Sequence, residues 1–201
     1  MVAIVDYGLG NLGSIANMLS VIGEDPVITA DFKELDRADR LILPGVGAFD
    51  AGMGALEERG LAKAVKGAAS FGKPVLGICL GMQLLGRRSE EGQKDGLGLI
   101  PFDNVRFHLP EGIKVPHMGW DVVEFKQQSP LLEGIQGTQR YYFVHSYHAV
   151  CDSGENVLMT CDYGYEFAAA VRHKNVYGVQ FHPEKSHDFG MRLLENFVKR
   201  C

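Results

Sequence analysis

Cys79 stands in the stretch Pro74-Val75-Leu76-Gly77-Ile78-Cys79-Leu80-Gly81-Met82-Gln83, and its neighbours give it the setting of a nucleophile. The order reads as a short apolar strand, a tight turn of the form Gly-x-Cys-x-Gly, and a helix start. This is the thiol counterpart of the nucleophile elbow, in which small residues two before and two after the nucleophile let the backbone bend and expose the side chain. A cysteine at a helix N-terminus meets free N–H groups and the positive end of the helix dipole, which favour thiolate over thiol. A second segment, Gly178-Val179-Gln180-Phe181-His182-Pro183-Glu184, supplies what such a thiol needs. In extended chain, residues two apart point to one side, so His182 can serve as general base and acid while Glu184 orients its ring. Taken singly, Cys79 reads as a buried strand-end cysteine and His182 as a structural histidine. Together they describe nucleophilic catalysis.

The elements around them must place both at one end of a sheet. Apolar runs at Val2 to Asp6, Pro26 to Thr29, Leu41 to Leu43 and Pro74 to Ile78 alternate with helical spacing at Leu12, Ile15, Ala16, Leu19 and Ile22 and from Leu56 to Ala69. Continuous apolar strands separated by helices predict a mostly parallel sheet covered on both faces. From Leu97 to Gly178, strand-like runs dominate: 104–107, 121–125, 141–150, 156–161, 168–173 and 176–181. Their polar turns predict an added antiparallel or mixed region. A closing helix places Phe189, Leu193, Leu194 and Phe197 on one face. Residues 1–201 read as a single α/β domain, and in such a sheet the site lies beyond the carboxyl ends of the parallel strands.

Composition narrows the class. A formal charge of −5 argues against nucleic acid or an anionic membrane as partner. No apolar run approaches the roughly 20 residues of a membrane span. The N-terminus reads directly as a strand, with no basic segment or cleavage site. Cys79, Cys151, Cys161 and Cys201 form neither a disulfide framework nor a metal-ligand spacing, so no metal is assigned and a reducing cytoplasm is expected. One motif competes. Gly8-Leu9-Gly10-Asn11-Leu12-Gly13 follows a strand, opens a helix and matches the dinucleotide fingerprint, with Asp31 near the ribose-binding distance. A close-packed glycine turn explains the same residues, and a dinucleotide-binding module stays open as an alternative.

Gly77-Ile78-Cys79-Leu80-Gly81-Met82-Gln83 with His182-Pro183-Glu184 resembles the class I (triad) glutamine amidotransferases, whose fold is a flavodoxin-like mostly parallel sheet. Asp6 to Leu12, Pro44 to Phe49, Pro116-His117-Met118-Gly119-Trp120 and Tyr141 to Tyr147 extend the resemblance along the whole chain. They narrow it to the glutaminase subunits of imidazole glycerol phosphate synthase. The resemblance implies a Cys79–His182–Glu184 triad hydrolysing L-glutamine, with oxyanion donors at Leu80, Val46 and Gly47. It implies substrate contacts at Gly45, Gln83, Glu91, His145, Ser146 and Tyr147, and partner-facing or ammonia-exit residues at Asn11, Pro116, His117, Met118, Trp120 and Tyr142. No cofactor is implied. The implied partner is a (β/α)₈-barrel cyclase in a heterodimer that makes imidazole glycerol phosphate and an aminoimidazole carboxamide ribotide in histidine biosynthesis. Asp121 stands where many relatives have asparagine. A paralogous subunit that supplies ammonia to another synthase, as in surface-sugar amidination, shares nearly all these motifs.

Overall fold

The computed structural model describes residues 1–201. The first half alternates β1 (Val2–Val5), α1 (Leu12–Val21), β2 (Val27–Thr29), α2 (Phe32–Arg37) and β3 (Arg40–Leu43). It continues through α3 (Phe49–Glu58), α4 (Leu61–Ser70), β4 (Val75–Ile78) and the short α5 (Leu80–Leu84). Strands then take over: β5 (Phe102–Arg106), β6 (His117–Phe125), β7 (Gln139–His145), β8 (Tyr147–Cys151), β9 (Val157–Asp162), β10 (Glu166–His173) and β11 (Val176–Val179), before α6 (His187–Arg200). All eleven strands belong to one sheet, whose main path runs β2-β1-β3-β4-β11-β10-β9-β6-β7. Strands β2 to β11 along that path are parallel, and the rest pair antiparallel. The short β5 joins through β8, which touches β10 at Ala149 and Ala168. The expected mostly parallel core with an antiparallel extension is what the chain forms.

Burial follows from side-chain alternation. Val2, Ile4, Ile42, Leu76 and Ile78 face one apolar layer with Ile15 and Leu19 of α1 and Leu193, Leu194 and Phe197 of α6. Ala3, Val5, Leu41, Leu43 and Val75 face the other, against Phe49, Met53 and Leu56 of α3 and Leu61 and Val65 of α4. Strands apolar at every position are thus read by two faces at once. No helix is long and apolar enough to cross a membrane.

Three boundaries differ from the sequence reading by more than two residues. The helical stretch 56–69 belongs to two helices, because Gly60 adopts a left-handed φ of 70° between α3 and α4. The run 141–150 breaks at Ser146, so β7 and β8 pair with different neighbours. Strand β6 begins at His117, four residues before the expected 121, and pairs with β7 from His117 to Val123 and with β9 from Val123 to Phe125.

Candidate active site

Strand order decides what meets Cys79. β4 lies between β3 and β11, with Gly77 level with Leu43 on one side and Ile78 level with Val179 on the other. The residues that follow these three strands, Pro44 to Gly47, Cys79 and Gln180 to Glu184, therefore emerge together at the carboxyl edge. The Cys79 N–H donates to the Val179 carbonyl at 2.8 Å, tying the elbow to β11.

The elbow is strained, and its glycines have no room. Cys79 adopts φ 55° and ψ −112°, a left-handed φ that costs a side-chain-bearing residue about 1–3 kcal/mol and persists only where packing enforces it. A Cβ on Gly77 would stand 2.7 Å from the Gly81 carbonyl oxygen and from Met82 Cα. One on Gly81 would overlap the Leu43 carbonyl oxygen. Gly81→Ala is expected to lower stability by at least the roughly 1–3 kcal/mol of ordinary overpacking. Gly13→Ala in α1, with nothing within 4 Å of the added carbon, should be neutral or stabilising by up to about 1 kcal/mol. Urea unfolding midpoints of the two variants check this contrast.

A cavity of about 320 Å³ opens over the elbow, lined by Cys79, Leu80, Gln83, Val46, Gly47, Glu91, Pro116, Val144, His145, Ser146, Tyr147 and His182. Its size is at the small end of ligand pockets. A more open recess of about 790 Å³ along Phe125 to Ile135 is larger, but its lining holds no cysteine or histidine.

His182 Nδ1 lies 2.7 Å from Glu184 Oε1, and both side chains are almost completely buried. Its Nε2 is buried without a hydrogen-bond partner and faces the cavity that holds Cys79. Burial pulls the imidazole down, but the Cys79 sulfur and the Glu184 carboxylate outweigh it and lift His182 to about 9. The ring is poised as an imidazolium beside a sulfur. Glu184 sits behind it, out of the cavity, as an orienting carboxylate should.

The loop after β3 has one fixed end and one free end. Pro44 accepts a 2.6 Å hydrogen bond from the Tyr7 hydroxyl. A Cβ on Gly45 would be 2.5 Å from that hydroxyl and 2.8 Å from the Gly81 N, so Gly45 is packed under the loop and does not line the cavity. Val46 is 41% exposed, and Gly47 has φ 100° with nothing around it. Glu91 lines the cavity and also accepts from the Phe49 N–H at 2.8 Å, capping α3. The Gln83 amide nitrogen donates to the Tyr147 carbonyl and to Gln180 Oε1, each at 3.1 Å.

The residues expected to face a partner divide in two. Met118, Trp120 and Val122 project from the outer face of β6, 60%, 39% and 49% exposed. Trp120 stacks on His187, and the Lys185 ammonium sits over the Tyr142 ring. Pro116 lines the cavity, and Asn11 is half-buried at the start of α1. His117 is buried, stacked between Phe143 and Tyr163.

Three residues that the sequence reading did not single out hold the site. Gln180 is fully buried and directs its amide at Cys79 Sγ, 3.9 Å away. Ser186 Oγ donates to the His182 carbonyl at 2.6 Å and accepts from the Tyr142 N–H at 3.0 Å, pinning the His182 loop to β7. Tyr7 anchors the Pro44 loop. Each was present in or beside a quoted motif, but its role depends on strand neighbours. The competing glycine turn packs closely: Gly10, at φ 120°, lies against Pro44, and Gly8 lies against Arg59.

A family model described as glutamine amidotransferase class-I matches residues 3–201. Imidazole glycerol phosphate synthase subunit HisH 2 of Methanococcus maripaludis is 51% identical over 202 residues, covering 100% of both chains. HisH 2 of Pseudomonas aeruginosa is 48% identical over 200 residues, 99% of each. The HisH subunit of Sulfurimonas denitrificans is 52% identical over 205 residues, 99% of this chain and 98% of that one. Among solved structures, a chain of PurLQS from Thermotoga maritima superposes with a TM-score of 0.79 at 23% identity, covering 98% of this chain and 96% of that one. A GMP synthase component from Thermoplasma acidophilum gives 0.76 at 22%, over 100% and 92%. These two likenesses concern the fold.

Proposed function

The chain belongs to the class I glutamine amidotransferases, and from that membership we propose that it is the glutaminase subunit of an imidazole glycerol phosphate synthase in histidine biosynthesis. The observation that carries the chemistry is the meeting of Cys79 and the free Nε2 of His182 in one cavity, with Glu184 behind the ring. Relatives of about 50% identity over essentially their whole length support the choice of synthase.

The Cys79 thiolate attacks the side-chain carbonyl carbon of L-glutamine, and the oxygen takes the electron pair. N–H groups at Leu80 and in the Val46–Gly47 segment stabilise that oxyanion. His182 protonates the leaving nitrogen, the C–N bond breaks, and ammonia departs from a glutamyl thioester. The neutral ring then takes a proton from water, which attacks the thioester and releases glutamate and the thiolate. Gln83, Glu91, His145, Ser146 and Tyr147 would orient the substrate's amino-acid end.

Ammonia released into neutral water is mostly protonated and no longer nucleophilic. A dry passage to a second active site is the physical reason for a partner, here a (β/α)₈-barrel cyclase in a cytoplasmic heterodimer. The exposed apolar stripe of Met118, Trp120 and Val122, with Tyr142 beside it, suits such a docking face. The numeral in two of the relatives' names, HisH 2, favours a second reading: a paralogous subunit serving another synthase. Identification of the protein that co-purifies with this chain from its native lysate separates the two.

The half-anchored loop predicts coupling to the partner. With Gly45 packed and Val46–Gly47 free, one peptide can hold its N–H away from the oxyanion position until docking turns it. Loss of one oxyanion donor costs about two to three orders of magnitude in kcat. Glutamate release by the isolated chain is expected to be lower by that factor than with cyclase and its ligand bound. High activity of the chain alone, unchanged by the partner, would refute the coupling.

A further inference from the structure

One cluster of ligating side chains lies outside the proposed reaction. His117 and Asp121 on β6 and Cys161 on β9 bring a nitrogen, an oxygen and a sulfur within 4.8 Å of one another. The sheet makes this meeting: Val123 pairs with Cys161, and residues 117, 121 and 123 share the inner face of β6. The His117 side chain is buried, whereas Asp121 is 39% exposed and opens a path from solvent.

The hydrogen bonds around His117 aim its Nε2 at a carboxylate oxygen. His145 Nδ1 is 2.8 Å from the Tyr147 carbonyl oxygen, which can only accept, so Nδ1 carries the hydrogen. Neutral His145 then offers a lone pair at Nε2, 3.0 Å from His117 Nδ1, so that nitrogen also carries its hydrogen. Neutral His117 is thereby fixed with a lone pair at Nε2, aimed at Asp121 Oδ2 only 2.9 Å away. Two lone pairs facing each other at this distance require a cation. A proton satisfies the nitrogen and the oxygen; a metal ion would also engage the sulfur, whose S–H otherwise donates to the Asp162 carbonyl at 3.8 Å.

We infer that His117 Nε2, Asp121 Oδ2 and Cys161 Sγ form a zinc(II) site with a fourth position open to solvent. A mixed nitrogen, oxygen and sulfur set suits tetrahedral zinc. His117 also has the backing that metal-bound histidines show, since its other N–H donates to His145, which is itself fixed by a backbone carbonyl. Ordinary zinc bond lengths at a tetrahedral angle place nitrogen and oxygen about 3.3 Å apart and sulfur about 3.5 Å from each. Side-chain shifts of about an ångström reach that geometry from the present one. Binding would replace the S–H bond of Cys161 by a Zn–S bond and release its proton to solvent. The site is independent of the glutaminase reading, because it touches neither Cys79 nor His182.

The test uses the full chain carrying Cys79→Ala, stripped with chelator, so that the elbow thiol cannot bind the metal. Calorimetric titration with zinc is expected to show one equivalent bound with release of a proton. Cobalt(II) is expected to give intense tetrahedral d–d bands and a sulfur-to-cobalt charge-transfer band. Adding Cys161→Ser should abolish the charge-transfer band, and adding Asp121→Asn should weaken zinc binding at least tenfold. The cobalt spectrum needs no change at the site and so stands even if those variants fold poorly. Absence of stoichiometric binding, a pale octahedral cobalt spectrum, or binding indifferent to Cys161→Ser and Asp121→Asn would each overturn the proposal. So would nitrogen NMR showing His117 protonated on both ring nitrogens at pH 7 in the presence of zinc, which would make the missing cation a proton.

Discussion

Replacing Cys79 by alanine is expected to abolish glutamine-dependent turnover of the complex while sparing turnover driven by added ammonium salt. In the proposed reaction the thiolate forms the acyl bond, and the other hydroxyls of the cavity are not set up to replace it: the Tyr147 hydroxyl meets Arg106, and Ser146 Oγ has no hydrogen bond to a histidine or a carboxylate, while the unpartnered Nε2 of His182 lies in the cavity with Cys79. Loss of a triad nucleophile costs about six orders of magnitude in a well-studied hydrolase, which would put glutamate release below detection. The fold should survive, because the side chain lines the cavity and its removal leaves the glycines of the elbow in place. Ammonia supplied from solution bypasses the thiol and needs only the partner. Parallel assays with glutamine and with ammonium salt read the two activities, and equal loss of both would sink the division of labour. A glutamine-like electrophile should label wild-type chain at Cys79 alone. Burial pushes the thiols of Cys151 and Cys161 up to about 12 and raises that of Cys201, so few thiolates form there.

What could be read in the sequence was local. The Gly77 and Gly81 pattern was legible because a side chain at either place collides with backbone, a constraint that acts over a few residues. The parallel core was legible for a similar reason, since strands buried on both faces must be apolar throughout. Gln180, Ser186 and Tyr7 were not legible, because their contacts exist only once β4 lies between β3 and β11 and once β7 reaches the His182 loop. The cluster of His117, Asp121 and Cys161 was hidden in the same way: chain spacing says nothing about a register between β6 and β9. The split of 141–150 at Ser146 also depends on tertiary structure, because both halves have strand composition and only their different neighbours separate them. Strand pairing is the non-local information that a pattern of residue types lacks.

His182→Ala should cost about four to six orders of magnitude in glutaminase rate, because in the proposed reaction the leaving nitrogen and the deacylating water both depend on that ring. Glu184→Gln should cost less, about two to four orders, since it removes orientation and charge but leaves nucleophile and proton carrier in place. The pH dependence gives the sharper test. Burial lowers His182, yet Cys79 and Glu184 together raise it to about 9, above the ordinary 6.5 of imidazole. The alkaline limb of kcat/KM, where the imidazolium loses its proton, is therefore expected near that value in the wild type and at lower pH in Glu184→Gln. Stability follows the same sign. A raised pKa contributes stability that is complete below the unfolded value and is lost as pH rises through the folded one. The wild type should thus exceed Glu184→Gln in stability by more at pH 6 than at pH 10, measured by urea unfolding at both. An alkaline limb that stayed in place in Glu184→Gln would mean that the carboxylate, 2.7 Å from the ring, does not set its charge, and the orienting role would then have to be given up.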